Sequence, residues 1–85
     1  MKEDFWDKYG FVSRAKNRKE VLKLLNTPQT PSELCKKTKL NMNLVSRALR
    51  ELQKEGLVEC KNPKEKMGRV YALTETGVAI LKKLV

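Results

Sequence analysis

The sequence predicts a mainly α-helical domain with one small β-hairpin and a further helix after it. Three observations carry this. Apolar residues recur at three- and four-residue spacing in separate stretches, each opened or closed by a strong helix signal. β-forming residues flank the polar segment 62–68. A last apolar stripe, Val78, Leu81 and Val85 with Ile80 and Leu84 beside it, follows Thr74, a good capping residue. With 40 % hydrophobic and 34 % charged residues the composition is that of a globular chain, and 85 residues suffice for one domain with a thin core.

The chain opens on an aromatic segment, residues 1–12, in which Phe5, Trp6, Tyr9 and Phe11 supply four of the five aromatic side chains. Such clustering calls for burial. A short extra helix over 2–9 can cover the neighbouring helices of its own chain or meet a second subunit. The subunit interface is preferred, with Phe5, Trp6 and Tyr9 joined by Ile80, Leu81, Leu84 and Val85. The remaining domain, 13–85, begins with Ser13 as cap of a helix over 14–25, whose Ala15, Val21, Leu22 and Leu25 face inward while Arg14, Arg18 and Lys19 face out.

Pro28 interrupts that helix. Thr30-Pro31-Ser32-Glu33 then forms a capping box with proline at the first helical position, so a short helix runs to about residue 38. Asn41 caps the next helix, about 14 residues long, which stops at Gly56, a residue suited to the left-handed position past a helix end. Residues 57–61 and 69–74 read as strands joined by the seven-residue loop 62–68.

That order is the order of a winged helix-turn-helix: a three-helix core, a β-wing and a C-terminal helix. In the helix after Asn41, Val45, Ala48, Leu49 and Leu52 share one face. Leu34, Cys35 and the turn residue Leu40 can pack against them. The opposite face carries Asn and Arg, the side chains that pair bidentately with adenine and guanine edges in the major groove. Asn41, Met42, Asn43, Ser46 and Arg47 are therefore the expected base readers. Arg50 is placed nearer phosphate, and Lys61, Lys64, Lys66 and Arg69 ring the hairpin tip, where they suit phosphates or the minor groove. An excess of 19 Lys and Arg over 10 Asp and Glu, a formal charge of +9, points to a polyanionic partner.

The runs Thr30-Pro31-Ser32-Glu33-Leu34, Asn43-Leu44-Val45-Ser46-Arg47-Ala48-Leu49-Arg50-Glu51-Leu52, Gly56-Leu57-Val58 and Gly68-Arg69-Val70-Tyr71-Ala72-Leu73-Thr74-Glu75-Thr76-Gly77 resemble those of small prokaryotic winged-helix transcriptional regulators of the ArsR and MarR type, especially short archaeal members. The resemblance implies a homodimeric regulator of transcription that binds double-stranded DNA. It sets Asn43, Ser46, Arg47 and Arg50 in the DNA-facing slots of the recognition helix, and Lys64, Lys66 and Arg69 in the wing. Metal sensors of the ArsR type carry Cys-x-Cys on the helix before the recognition helix; here Cys35 stands alone.

Several classes are set aside. Without histidine, a Gly-rich phosphate loop, paired carboxylates or a serine in a nucleophile context, no catalysis, metal or cofactor is expected. Cys35 and Cys60 read as small hydrophobes, with a redox switch as the alternative. Nothing resembles a signal peptide or a membrane span, so the expected location is the cytoplasm, without a membrane partner. A small-molecule effector is left unassigned. The rival function is a winged helix that serves as a protein-interaction or architectural module of the transcription or RNA-processing machinery. RNA binding ranks lower, because the aromatics lie far from the basic patch.

Overall fold

In the computed structural model, which describes residues 2–84 and their side chains from Phe5 onward, the elements run α1 (Lys2–Ser13), α2 (Lys16–Leu24), α3 (Pro31–Thr38), α4 (Met42–Lys54), β1 (Val58–Cys60), β2 (Tyr71–Leu73) and α5 (Glu75–Leu84). Helices α2, α3 and α4 enclose the core through Val21, Leu22, Leu25, Leu34, Val45, Ala48, Leu49 and Leu52. Val12 of α1, Leu57 and Val58 before and in β1, and Ile80 of α5 complete it. The fold is the winged helix that the order of elements predicts.

Local signals act where the sequence places them. The Thr30 hydroxyl accepts from Glu33 N at 3.2 Å and Glu33 Oε1 accepts from Thr30 N at 2.8 Å, the reciprocal bonds of a capping box. Gly56 has φ +76° just past α4, as a left-handed helix stop requires. Thr74 Oγ accepts from Gly77 N at 3.1 Å and donates to Gly56 O at 2.6 Å, so the start of α5 is tied to the end of α4.

The N-terminal segment differs from expectation. Its helix runs on to Ser13, and Ser13 ends α1 instead of capping α2, whose N-cap is Ala15 with no side-chain cap bond. Burial explains the extension, since helix stability in proteins comes mainly from packing an apolar face. Val12 is fully buried, and Phe5, Tyr9 and Phe11 pack against the core. The radius of gyration is 12.0 Å, close to the ~12 Å expected of a folded chain this long, so α1 lies on the body.

The expected subunit interface must be redrawn accordingly. Ile80 is fully buried in the chain's own core and has no surface to offer a second copy. Phe5 and Tyr9 are half-buried on that core, and Leu81 and Leu84 lie at its edge. Trp6 keeps 55 % exposure; it meets Phe5 and Tyr9 edge-on, with the Lys83 ammonium 5.8 Å from its ring centre. Val85 lies outside the described residues.

Arg18 also departs from its expected outward position. Its Nη1 donates to Phe11 O at 2.8 Å, its guanidinium carbon lies 3.7 Å from the Phe11 ring centre, and its Nε donates to Glu51 Oε1 at 3.0 Å. One side chain thereby joins α1, α2 and α4.

The strands pair antiparallel, with Val58 opposite Leu73, Glu59 opposite Ala72 and Cys60 opposite Tyr71. They are shorter than 57–61 and 69–74 because only the bond from Lys61 N to Val70 O, 2.7 Å, continues the ladder toward the tip. On the other edge of β2, Gln29 and Tyr71 exchange backbone bonds of 3.0 and 2.8 Å. The Gln29 side chain is buried yet satisfied: Nε2 donates to Leu24 O and Thr27 Oγ1, and Oε1 accepts from Lys37 Nζ. Leaving such a group unpaired costs about 1–3 kcal/mol, so this network fixes the wing to the α2–α3 connection.

Candidate nucleic-acid interface

The turn into α4 is made by three residues. Lys39 takes the left-handed conformation at φ 64°, closing α3 with a bond from its N–H to Cys35 O. Leu40 is half-buried against the core, and Asn41 Oδ1 accepts from Leu44 N at 2.9 Å to open α4. Since the Val45, Ala48, Leu49 and Leu52 stripe is buried, Met42, Asn43, Arg47 and Arg50 are forced to the outside, all exposed, with Ser46 half-buried beside them. Asn41 is exposed too, but its carbonyl oxygen is committed to the cap. That oxygen keeps a second lone pair, so Asn41 can still accept once more and donate through its NH2 group.

The hairpin tip is tied by its own hydrogen bonds. Asn62 Oδ1 accepts from Val70 N at 2.8 Å and Asn62 Nδ2 donates to Gly68 O at 3.2 Å, while Gly68 takes φ +67°. Arg69 Nε turns back onto Glu65 O at 2.6 Å, and Lys61 pairs with Glu59 at 3.4 Å. Lys64, Lys66 and Arg69 are exposed and make no ion pair among the described residues, so the wing keeps their positive charge.

A groove lies on each side of the start of α4. One, of about 260 Å3, runs between Pro31, Ser32 and Met42 and the wing residues Lys66, Met67 and Arg69. The other, of about 290 Å3, lies between Lys16, Asn17 and Arg18 of α2 and Leu44, Arg47 and Glu51 of α4. Neither reaches the ~300–1,000 Å3 usual for small-molecule cavities; they read as surface channels beside an exposed helix. Ser32, Lys16 and Asn17 line these grooves as well, though the sequence does not single them out. Their only sequence signal is position in the first turn of a helix, where N–H groups and a polar or basic side chain favour an anion.

Two carboxylates within this region are held below the ordinary 4.5. A bond from Thr30 N lowers the Glu33 group, and the Arg18 guanidinium, followed by Arg47, lowers the Glu51 group against some desolvation. Groups with depressed folded values add stability above the unfolded value that is lost as pH falls through the folded one. The melting temperature should therefore hold between pH 7 and 5 and fall below about 4.5, less steeply in Glu51→Gln; thermal scans across that range check it.

Both cysteines are free and half-buried. Cys35 packs against the core with its sulfur 4.0 Å from Met42 Sδ. Among the described residues no group of three or more His, Cys, Asp or Glu side chains could hold a metal ion, and no helix is long and apolar enough to cross a membrane.

Comparison with known proteins places this geometry. The family described as HVO_A0261 N-terminal domain matches residues 6–85. No curated protein matches the chain. Among solved structures, the transcriptional regulator HlyU from Vibrio vulnificus is 30 % identical, covering 98 % of this chain and 83 % of its own, with a TM-score of 0.75. Wild-type ZitR from Lactococcus lactis in complex with DNA is 26 % identical over 78 % of this chain and 47 % of its own, TM-score 0.68. A MarR variant from E. coli complexed with operator DNA is 31 % identical over 81 % of this chain and 51 % of its own, TM-score 0.66. The chain thus spans about half the length of the MarR and ZitR chains it matches. With a family match over nearly all of its residues, this chain belongs to the HVO_A0261 N-terminal domain family, and its winged-helix fold is similar to that of MarR-type transcription regulators.

Proposed function

We propose that the chain regulates transcription by binding double-stranded DNA in a sequence-specific way, as a homodimer, with α4 in the major groove and the wing on the backbone or in the minor groove. The observation that carries this reading is the exposed outer face of α4. It presents Asn43, Arg47 and Arg50, with Ser46 at its edge, beside a wing whose Lys64 and Lys66 are uncompensated. A duplex is the polyanion that such a helix and its flanking grooves fit, and ZitR and a MarR variant, both similar in fold, are each described in complex with DNA.

Exposed Met42 and Leu44 on the same face favour a protein partner as the second reading, though apolar side chains also meet thymine methyl groups. The charge of +9 favours the duplex. Dimerisation would use the surface around Trp6 with Leu81 and Leu84 and would set two α4 helices about one duplex turn apart, ~34–36 Å. In vitro selection on random duplex DNA tests the reading: a two-fold-symmetric preferred site supports it, and uniform binding to all duplexes contradicts it.

The wing gives a separate expectation. Lys64→Ala should weaken binding evenly across sequences and lower the slope of log affinity against log salt by about 0.9, one phosphate contact. Fluorescence anisotropy at several salt concentrations reads that slope.

A further inference from the structure

Glu51 stands on the protein side of Arg47 and is itself held from behind. Its Oε1 accepts from Arg18 Nε at 3.0 Å, and its Oε2 lies 3.5 Å from Arg47 Nε one turn earlier on α4. Arg18 has little freedom, with 23 % side-chain exposure, a bond to Phe11 O and the Phe11 ring beneath its guanidinium. The position of the carboxylate is therefore set by α1 and α2 as well as by its own helix. Arg47, at 72 % side-chain exposure, is otherwise surrounded by water. An i,i+4 pair so exposed adds too little to helix stability for the fold to depend on it. Its geometric consequence is the relevant one: Nε is the guanidinium nitrogen that meets Glu51, at 3.5 Å, which leaves the two terminal nitrogens without a partner among the described residues and able to act as a fork. That edge can donate two parallel bonds to guanine O6 and N7.

We propose that Glu51, anchored by Arg18 and Phe11, is a positioning residue for base discrimination: it holds Arg47 as a pre-aimed fork and keeps it from collapsing onto a phosphate. The inference rests on the duplex-binding reading above. An arginine already oriented in the free protein loses less side-chain freedom on pairing with the correct base. A loose one gains nearly as much from any phosphate, whatever the sequence. The carboxylate also cancels part of the local positive charge, which lowers affinity for unpreferred duplexes and so widens the gap between right and wrong sites.

The test compares selection profiles on random duplex DNA for wild type, Arg47→Ala, Glu51→Gln and the double variant, with each thermal melt recorded. Glu51→Gln is expected to reduce preference about twofold at the same base positions that Arg47→Ala flattens, with affinity for mixed-sequence DNA unchanged or raised. In the Arg47→Ala background Glu51→Gln should add nothing at those positions. Nitrogen-15 relaxation of the Arg47 Nε–H in the free wild-type protein gives a second reading that does not depend on any variant folding: it should be more restricted than that of Arg50. A preference kept intact in Glu51→Gln, a loss that persists without Arg47, or an Arg47 as mobile as Arg50 would each overturn the proposal. Absence of any preference in wild type would instead overturn the regulator reading, and the relaxation measurement would still decide the positioning of Arg47.

Discussion

Gly77→Ala is expected to destabilise the domain by about 2–4 kcal/mol and to lower its melting temperature by roughly 10 °C or more. Gly77 is buried in the first turn of α5, and a Cβ there would collide with Leu57 O and sit 3.1 Å from Leu57 C, with Leu73 Cδ2 at 3.2 Å. The obstacle is backbone, and it is held in place: Leu57 O accepts from Thr74 N at 3.0 Å, and the Thr74 hydroxyl grips Gly56 O. Making room means parting α5 from the turn that ends α4, at the cost of those bonds and of Ile80 burial. Alanine is the better helix former by about 1 kcal/mol, which offsets only part of the loss. Thermal unfolding followed by circular dichroism decides; an unchanged or raised midpoint would show that the close approach of α5 to Leu57 is not a constraint.

Arg47→Ala is expected to flatten sequence preference by about ten- to a hundredfold while leaving the melt within ~0.5 kcal/mol of wild type. The residue stands on the outer face of α4, and its ion pair with Glu51 is too exposed to matter to the fold. Removing it deletes the fork of donors proposed to meet base edges and one unit of positive charge. Affinity for mixed-sequence DNA should fall only by the share of a single phosphate contact, so the ratio between preferred and unpreferred duplexes carries the effect. Competition binding with the selected site against scrambled duplex measures that ratio. A ratio equal to wild type would remove Arg47 from the reading set and leave Asn43 and Ser46 to account for it.

What could be read from the sequence was local in origin. The Thr30–Glu33 box, the Asn41 cap, the Gly56 stop and the inward stripe of α4 each depend on residues within a turn or two of one another, and each stands where its spacing predicts. From them follows the outward face of α4, because fixing four buried positions fixes the rest of the helix.

What was not legible depends on distant partners. Nothing near Ser13 reveals that α1 continues through Gly10 to bury Val12; the reason lies in its packing on α2 and α5. Arg18 looks like any outward arginine until Phe11 and Glu51 arrive from other helices. Ile80 could not be told from its neighbours on α5 as core or interface, since periodicity marks an apolar side and not what covers it. Asn62 was legible as a turn residue, but the two hydrogen bonds that shape the wing, one accepted from Val70 N and one donated to Gly68 O, need the far side of the hairpin in place.

The most direct test of the account is an NMR titration of the isotope-labelled protein with the duplex obtained from in vitro selection, following backbone amides and arginine side chains at low and moderate salt. The account predicts the largest shifts at Asn43, Ser46, Arg47 and Arg50 and around Lys64 and Lys66, with α1 and α5 little changed. Shifts centred on Trp6, Leu81 and Leu84 while the outer side of α4 stays silent would contradict it.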